Sequence, residues 1–511
     1  MRNILKVVFG RVLFTVLCLI IQLIWIIALV WKLNQYYVWF ATVIEIIGVI
    51  VVLRINAKSE FSAARLVWTI VILSLPLFGI TLYLMFGRTG LTKRTKAYYE
   101  KVAAKYSPEL TQEKEILLSL KKENIYIHNQ EYYIQNSSGY PVYRNTDVTY
   151  YPQTEPALEA MLKDLENARE FIFMEYFAVE DTEVFHRIEE ILLKKVSEGV
   201  EVRFIYDDFG SIGFVKPEFM RRMNRQGIQC RIFNPLIPLL YVFMNHRDHR
   251  KITVIDNHVS FSGGYNLADE YFNVTHPYGH WKDTGVRLEG DAVKSHTVMF
   301  LEMWNFIRDT DESYEKYLRR NTAFQSLQKG FVQPYSDTPL DNVTLGENVY
   351  MNILKTASRY VYITTPYLII DNEMQKELCM AAERGIDVRI ITPGIPDKKL
   401  VFLLTQSYYA ALIRSGVRIY EYTPGFIHAK GYLSDDQVAV VGTINMDYRS
   451  LYLHFECGVY LYGYDAIMDI KRDFIETFPL CREIGLDYCR KRSVFILSLI
   501  HISEPTRQEA I

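Results

Sequence analysis

The sequence predicts an α/β protein of two similar halves, with an active site at the interface between them and apolar helices ahead of both. Three observations support this prediction. A pattern of polar residues occurs twice at identical spacing, strands alternate with helices in each half, and long apolar runs precede residue 95. A chain of 511 residues is also long for a single hydrophobic core.

Three apolar runs lie near the N-terminus, at 12–31, 36–53 and 66–86. The first and third contain no charged residue, and a run of about 20 apolar residues is long enough to span a bilayer. The middle run carries Glu45, so it spans the membrane, lies in the interface or bends back. We therefore expect residues 1–94 to form a membrane anchor with two to three transmembrane helices.

Charges around these runs bear on topology. Lys93, Arg94 and Lys96 belong to a basic flank after the third run, which places the rest of the chain in the cytoplasm. Arg2 and Lys6 place the N-terminus on the same side, and both assignments cannot hold if all three runs span. We give more weight to a cytoplasmic catalytic part, because a basic flank also holds anionic lipid headgroups.

The pattern of apolar and polar residues divides the remainder of the chain into a helical connector at 95–140, a first α/β half at 141–330 and a second at 331–492. The first half alternates helix Ala157–Arg169, strand Phe171–Phe177, helix Val184–Glu198 and strand Val200–Tyr206. The second half repeats this order with strand Tyr360–Thr364, helix Glu373–Arg384 and strand Asp387–Thr392. Residues 497–511 match a translated sequencing adapter, so we interpret them as a cloning artefact.

The repeated polar pattern carries the candidate chemistry. Each copy starts at a His, followed by Lys at +2, Asp at +7, a small pair at +14 and +15, and Asn at +17. The first copy comprises His249, Lys251, Asp256, Gly263, Gly264 and Asn266, and the second comprises His428, Lys430, Asp435, Gly442, Thr443 and Asn445. Two unrelated strands would rarely agree at so many polar positions, so the pattern indicates a duplicated half-site.

Strand geometry assigns directions to these side chains. Residues two apart on a strand face the same side, so His249 and Lys251 project together, as do His428 and Lys430. Asp256 and Asp435, although part of the catalytic motif, lie at an odd offset and are expected to support the hairpin. Paired Lys and Asn donors suit phosphodiester oxygens, and paired imidazoles suit a nucleophile and a general acid.

The double H-x-K-x4-D pattern followed by G-G/T-x-N resembles the phospholipase D superfamily, and with the N-terminal apolar runs it resembles the bacterial cardiolipin synthases. The resemblance implies two α/β/α repeats, a multi-pass protein of the bacterial cell membrane and no cofactor. It also implies phosphatidylglycerol and anionic lipids as partners, and transfer through a phosphohistidine. A membrane-anchored hydrolase or nuclease and a non-catalytic scaffold are the alternatives.

The resemblance further implies that the first motif bears the covalent intermediate, which makes His249 the nucleophile and His428 the acid. Arg247 and Arg250 flank His249 and are expected to favour its neutral form. An orienting carboxylate is needed for each imidazole. Glu456 lies 28 residues after His428, and Asp283 lies 34 residues after His249, so we expect these two pairings.

Other ligand classes receive less support. The net charge of −2 provides no basic field for nucleic acid, and the six cysteines are scattered without a C-x-x-C pair. His246 with His249, and His276 with His280, have the spacing of metal ligands on a helix. Pro277 disfavours a helix at the second pair, and lysines directed at the site would repel a cation, so we expect no metal. The oligomeric state is left open.

Overall fold

The structure is a computed structural model, which describes residues 20–29, 31–32, 38–57, 62–86, 93–216, 218–236, 245–311, 313–319, 323–341 and 343–490. It separates into two compact units. Among the described residues, one unit comprises those up to residue 95 together with 235–236 and 245–246, and the other comprises those at 96–234 and 247–490. The adapter-like segment at 497–511 lies outside the described residues.

The first unit contains helices α1 (Val38–Asn56), α2 (Ser62–Ser74) and α3 (Pro76–Phe86), and residues 20–29 and 31–32 are also helical. Pro76 divides the 66–86 run into two helices, because its ring opposes the preceding turn. Trp68 and Ile72 are among the buried side chains where the three helices pack. Within the described part of the chain, no helix combines the length and the apolar character needed to cross a membrane.

The predicted connector is occupied by helices α4 (Lys93–Tyr106), α5 (Lys114–Glu123) and α6 (Ile125–Ser138), and from residue 96 onward these belong to the second unit. Asn124 caps α6 by accepting hydrogen bonds from the N–H groups of Tyr126 and Ile127. Gly139 ends the helix in the left-handed region at φ 80°, which a residue without a side chain adopts at little cost.

The first repeat is a seven-stranded mixed sheet with helices packed on it. Its elements are β1 (Thr146–Tyr151), α7 (Thr154–Glu166), β2 (Phe171–Tyr176), α8 (Glu183–Ser197), β3 (Glu201–Asp207), α9 (Phe219–Arg225), β4 (Gln229–Phe233), β5 (Arg247–Asp248), β6 (Lys251–Ile255), β7 (Val259–Gly263), β8 (His280–Lys282), β9 (Gly285–Gly290) and α10 (Val293–Ile307). The sheet has the order β1-β9-β7-β6-β2-β3-β4, and β5 and β8 pair elsewhere.

The second repeat has the same plan. Its elements are β10 (Phe331–Asp337), α11 (Leu345–Thr356), β11 (Tyr360–Thr364), β12 (Leu368–Ile369), α12 (Asn372–Glu383), β13 (Asp387–Pro393), α13 (Lys399–Arg414), β14 (Arg418–Tyr422), β15 (Gly425–Ile427), β16 (Gly431–Ser434), β17 (Val438–Gly442), β18 (Met446–Asp447), α14 (Tyr448–Tyr452), β19 (His454–Tyr462), α15 (Ala466–Thr477), β20 (Cys481–Glu483) and α16 (Leu486–Arg490). Its sheet order is β10-β19-β17-β16-β11-β13-β14-β20.

Seven strands of the two sheets correspond in order, and β20 is an additional edge strand of the second sheet. The predicted duplication therefore extends to the topology. β6 and β16, which follow the two motif histidines, occupy equivalent central places beside β2 and β11. β2 and β11 are buried along their whole length, which explains their continuous apolar runs. The predicted alternation of strands and helices is therefore confirmed in both halves, with boundaries within a few residues.

Short strands connect the two repeats. β5 of the first repeat pairs in parallel with the start of β19, placing Arg247 opposite His454 and Asp248 opposite Phe455. β15 of the second repeat pairs in parallel with β8, placing Ile427 opposite Lys282. Each exchanged strand directly precedes a motif histidine, and this determines the environment of both.

Candidate active site

His249 lies at the end of β5, where its backbone N–H donates to the carbonyl of Phe455 in the other repeat at 2.9 Å. Its Nδ1 lies 2.9 Å and 3.0 Å from the two carboxylate oxygens of Glu456, the next residue of that strand. Glu456 is fully buried, and Thr443 donates its hydroxyl to Oε2 at 2.5 Å. A carboxylate at Nδ1 leaves Nε2 of His249 available for chemistry.

His428 has a similar arrangement with the repeats exchanged, although Nζ of Lys430 also lies 2.7 Å from its Nδ1. Its backbone N–H donates to the carbonyl of Lys282 at 2.7 Å, and its Nδ1 lies 2.6 Å from Oδ2 of Asp283. The other oxygen, Oδ1, accepts the backbone N–H of Thr284 at 2.9 Å. Asp283 is fully buried and His428 is only 6% exposed, so little water competes for this bond.

The expected pairing of carboxylates with histidines within each half is therefore wrong. Asp283 of the first repeat orients His428, and Glu456 of the second repeat orients His249. The cause is the register of the exchanged strands. Because Phe455 lies opposite Asp248, the next residue, Glu456, meets His249. Since Lys282 lies opposite Ile427, Asp283 meets His428.

The two motif lysines lie beside the histidines, as their strand positions predict. Lys251 donates from Nζ to the carbonyl of His249 at 2.6 Å, and Lys430 donates to the carbonyl of His428. Both are buried, and burial, which disfavours the ammonium, lowers the pKa of Lys251 to about 8 and that of Lys430 to about 7. An anion bound between the two lysines would therefore stabilise their ammonium forms.

Burial also dominates the imidazoles. It lowers the pKa of His428 to about 4, with Lys430 acting in the same direction and Asp283 opposing. The pKa of His249 is held well below its usual value by burial and then by Lys251 and His454. Both rings are thus neutral at neutral pH while no anion is bound, and a phosphate between the lysines would raise both values.

The carboxylates differ from each other. Burial raises the pKa of Glu456 well above its usual value, and Lys251 is the main group opposing this. Burial also opposes ionisation of Asp283, but the charges of Lys430 and His428 outweigh it and hold the pKa of Asp283 below its usual value. The surroundings of Asp283 therefore favour its ionised form, whereas ionisation of Glu456 depends on its positively charged neighbours.

The flanking arginines do not act on His249 as expected. Arg250 lies on the opposite face of the strand, with Nε 2.7 Å from Glu175 and 3.4 Å from Asp248. Arg247 donates to the carbonyl of Asn234 at 2.8 Å and lies 3.5 Å from Asp207. Because these charges are buried and balanced by carboxylates, they anchor the β5–β6 segment. Burial and Lys251 favour the neutral form of His249 instead.

Asp256 and Asp435 face away from the histidines and join each hairpin to the neighbouring strand. Asp256 accepts the backbone N–H groups of Arg169, Glu170 and Phe171 at 2.7–2.8 Å, and Asp435 accepts those of Ser358, Arg359 and Tyr360 at 2.6–2.9 Å. Their own φ values, 52° and 56°, lie in the left-handed region that Asp adopts more readily than most residues.

The small residues after each hairpin fit the two different carboxylates. A side chain at Gly264 would lie 2.1 Å from Oδ1 of Asp283, so glycine is needed for this shorter carboxylate to approach. The matching residue Thr443 instead donates to the longer Glu456. The sequence contained this difference, but its meaning depends on the crossed pairing.

The motif asparagines are equivalent in sequence but not in their contacts. Oδ1 of Asn266 accepts the backbone N–H of Ala178 at 3.0 Å, and its Nδ2 donates to the hydroxyl of Tyr271 at 2.9 Å. The backbone donor fixes the orientation of this amide, which leaves one N–H for a ligand. Asn445 is 5% exposed, and its Oδ1 has no hydrogen-bond partner among the residues that the structure describes.

The structure adds His454, which sequence reasoning did not identify. Its ring centre lies 5.5 Å from that of His249, and its Nδ1 lies 3.7 Å from Oε1 of Glu456. Its position two residues before Glu456, on the same strand face, was a usable signal. His249, His454 and Glu456 could together hold a metal ion, but Lys251 beside Glu456 makes the set a poor match for a cation.

A second group with the spacing of metal ligands, Asp181, His186 and Glu189, lies in the first repeat. Arg222 contacts the carboxylates of Asp181 and Glu189 at 2.8 Å and 3.0 Å, so a cation already occupies this position. His280, part of a pair considered from the sequence, instead has its Nδ1 3.0 Å from the hydroxyl of Tyr422.

Comparison with known proteins agrees with this architecture. Residues 161–304 and 350–478 match the family described as cardiolipin synthase, PLD-like domain, and residues 38–88 match a family described as phospholipase D-nuclease N-terminal. An uncharacterized protein of Streptococcus mutans is 45% identical over 441 residues, covering 86% of this chain and 95% of its own. Cardiolipin synthase 2 of Bacillus anthracis is 33% identical over 440 residues, covering 85% of this chain and 84% of its own.

Among solved structures, phosphatidylserine synthase from Haemophilus influenzae Rd KW20 aligns with a TM-score of 0.55 at 12% identity, covering 71% of this chain and 93% of that one. At that identity the likeness concerns the fold alone, and it agrees with two phospholipase D-like repeats. Both halves match one family model, and the named relatives extend over most of the chain. The chain therefore belongs to the cardiolipin synthase family of phospholipase D-like proteins.

Proposed function

We propose that this protein is a phosphatidyltransferase that transfers the phosphatidyl group of one phosphatidylglycerol to a second, giving cardiolipin and glycerol. The observation that carries the proposal is the crossed pair of imidazoles. His249 and His428 each have a buried carboxylate at Nδ1, from opposite repeats, and a buried lysine beside them. Family membership and the names of relatives supply the lipid and the product.

In the first step, Nε2 of His249 attacks the phosphorus of a phosphatidylglycerol. The bond from phosphorus to the departing glycerol breaks, and His428 donates its Nε2 proton to that oxygen. Lys251 and Lys430, with amide N–H groups of Asn266 and Asn445, bind the non-bridging oxygens, where charge accumulates in the transition state. The phosphatidyl group is then held on His249 as a phosphohistidine.

In the second step, neutral His428 accepts the proton of a hydroxyl on a second phosphatidylglycerol. The oxygen attacks phosphorus, the phosphorus–nitrogen bond breaks, and His249 is released. Water in place of this hydroxyl would give hydrolysis, so the acceptor alone distinguishes a synthase from a phospholipase. We infer that the N-terminal helices hold the chain at the bacterial cell membrane, where both lipids are concentrated, with the catalytic repeats in the cytoplasm.

The test is incubation of the purified full chain with labelled phosphatidylglycerol, followed by separation of the lipids. We expect labelled cardiolipin and free glycerol in equal amounts. Phosphatidic acid as the main product would indicate a hydrolase instead. Replacement of His249 or His428 by Ala should abolish product, and a variant that retained full activity would contradict the site.

The choice of nucleophile has its own test. With an activated leaving group that needs no proton, His428→Ala should still form a base-stable, acid-labile lipid adduct, because only the attack by His249 is required. His249→Ala should form none. An adduct retained in the His249 variant and lost in the His428 variant would exchange the two roles.

A further inference from the structure

His454 lies beside His249 and Glu456. Its side chain is ionisable, whereas the residue at the equivalent position beside His428 is not. His454 starts β19, pairs with Arg247 and shares a strand face with Glu456. The centre of its ring lies 5.5 Å from that of His249 and 6.5 Å from that of Phe177. Its side chain is 10% exposed, so it belongs to the wall of the site.

The matching position in the other repeat is Trp281. It lies two residues before Asp283, pairs with Phe426 and has its ring 5.3 Å from that of His428. In both repeats, therefore, the residue two positions before the orienting carboxylate carries an aromatic ring. That residue pairs with the short strand that precedes a motif histidine. That ring is an indole beside His428 and an imidazole beside His249, although the two strand pairs have the same register.

This difference coincides with the different needs of the two carboxylates. Burial raises the pKa of Glu456, and groups that donate or carry positive charge, such as Lys251 and Thr443, oppose the rise. The Nδ1 of His454, 3.7 Å from Oε1, is placed to act in the same direction. Positive charge on His454 also lowers the pKa of His249, which favours the neutral ring.

We infer that His454 is a positioning residue for His249, which keeps Glu456 ionised and directed at Nδ1 and so holds His249 in the nucleophilic tautomer. This inference rests on the proposed phosphohistidine chemistry and concerns the formation of the phosphorus–nitrogen bond. Trp281 packs against His428 without such a contribution, which makes it a matched control.

The experiment uses the full chain in detergent and phosphatidyl-p-nitrophenol, whose leaving group departs without a proton. A single-turnover assay follows p-nitrophenolate release, and an alkaline quench measures the lipid adduct. His454→Phe keeps the ring and removes both nitrogens, His454→Gln restores a polar group, and Trp281→Phe is the control. We expect His454→Phe to slow adduct formation about tenfold without changing the concentration that gives half the maximal single-turnover rate. The Gln variant should recover part of the rate, and Trp281→Phe should retain it.

The outcomes separate the inference from the proposal on which it rests. No adduct in the unaltered protein would overturn the phosphohistidine mechanism itself. A normal adduct rate in His454→Phe would overturn the role of His454 and leave the mechanism intact. Equal losses in the Phe and Gln variants, with a lowered melting temperature in both, would indicate a structural role only, and this too would overturn the inference.

Discussion

The crossed carboxylates make a sharp prediction for the substitution Asp283→Asn. Oδ1 of Asp283 accepts the backbone N–H of Thr284 at 2.9 Å, and Oδ2 faces Nδ1 of His428 at 2.6 Å. In the variant, the backbone donor would fix the amide oxygen at the first position. The amide nitrogen would then face Nδ1, which could only accept a hydrogen bond. His428 would be held in the tautomer with its proton on Nε2, and it would lack support for its charged form.

The size of the loss follows from this geometry. The bond is short, charge-assisted and almost fully buried, and the substitution also reverses the tautomer. We expect about 4 kcal/mol of lost transition-state stabilisation, which is about a thousandfold in rate with phosphatidylglycerol. Adduct formation from phosphatidyl-p-nitrophenol should change less than about threefold, because that step does not require the proton of His428.

The matched variant is Glu456→Gln, which should show the opposite pattern. Glu456 orients His249, so its loss should slow p-nitrophenolate release and adduct formation by about a hundredfold or more. Stopped-flow absorbance and alkaline-quench capture of the adduct measure both steps in both variants. If the adduct test placed the nucleophile on His249, and Asp283→Asn slowed the burst while Glu456→Gln left it intact, the pairing would lie within each half. The reasoning from strand register would then be refuted.

Three further predictions concern the positive charge at the site, the pH dependence of activity and the stability of the second hairpin. Activity should survive chelators, since Lys251 and Lys430 provide the positive charge at phosphate, and a loss reversed only by a divalent ion in a soluble-substrate assay would contradict this. The pH profile of kcat/KM should be bell-shaped, falling above about pH 7–8 as the lysines lose their protons and in acid as His249 gains one. A steady rise from about pH 5 to about pH 9 would contradict the role of the two lysines at the phosphate. Asp435→Ala should lower stability by about 3 kcal/mol, because three backbone N–H groups lose their acceptor, whereas the exposed Asp469→Ala should leave the melting temperature nearly unchanged.

Much of the fold was predictable because local patterns and duplication agreed. Asp256 and Asp435 mark equivalent hairpins, and the apolar strands around them are buried on both faces, as their composition indicates. The strand period of two also placed Lys251 beside His249 correctly. Each of these inferences depends on residues close together in sequence, so a single chain suffices to make them.

The remaining features depend on pairings distant in sequence. Glu456 reaches His249 across 207 residues through a two-residue parallel pair, and Asp283 reaches His428 across 145. No periodicity encodes which short strand pairs with which. Arg250 is a related case, because its charge was visible in sequence but its balancing partner, Glu175, lies on another strand.

Because short strands are exchanged between the repeats, the site requires both of them. Each motif histidine takes its position from one repeat and its carboxylate from the other, so neither repeat alone contains a motif histidine together with its orienting carboxylate. The backbone bonds from His249 to Phe455 and from His428 to Lys282 tie orientation to the same contact that brings the repeats together. A disturbance of either exchanged strand therefore alters the nucleophile in one case and the acid in the other. Because both are needed for transfer, we expect the two repeats to assemble before either half acquires any catalytic power.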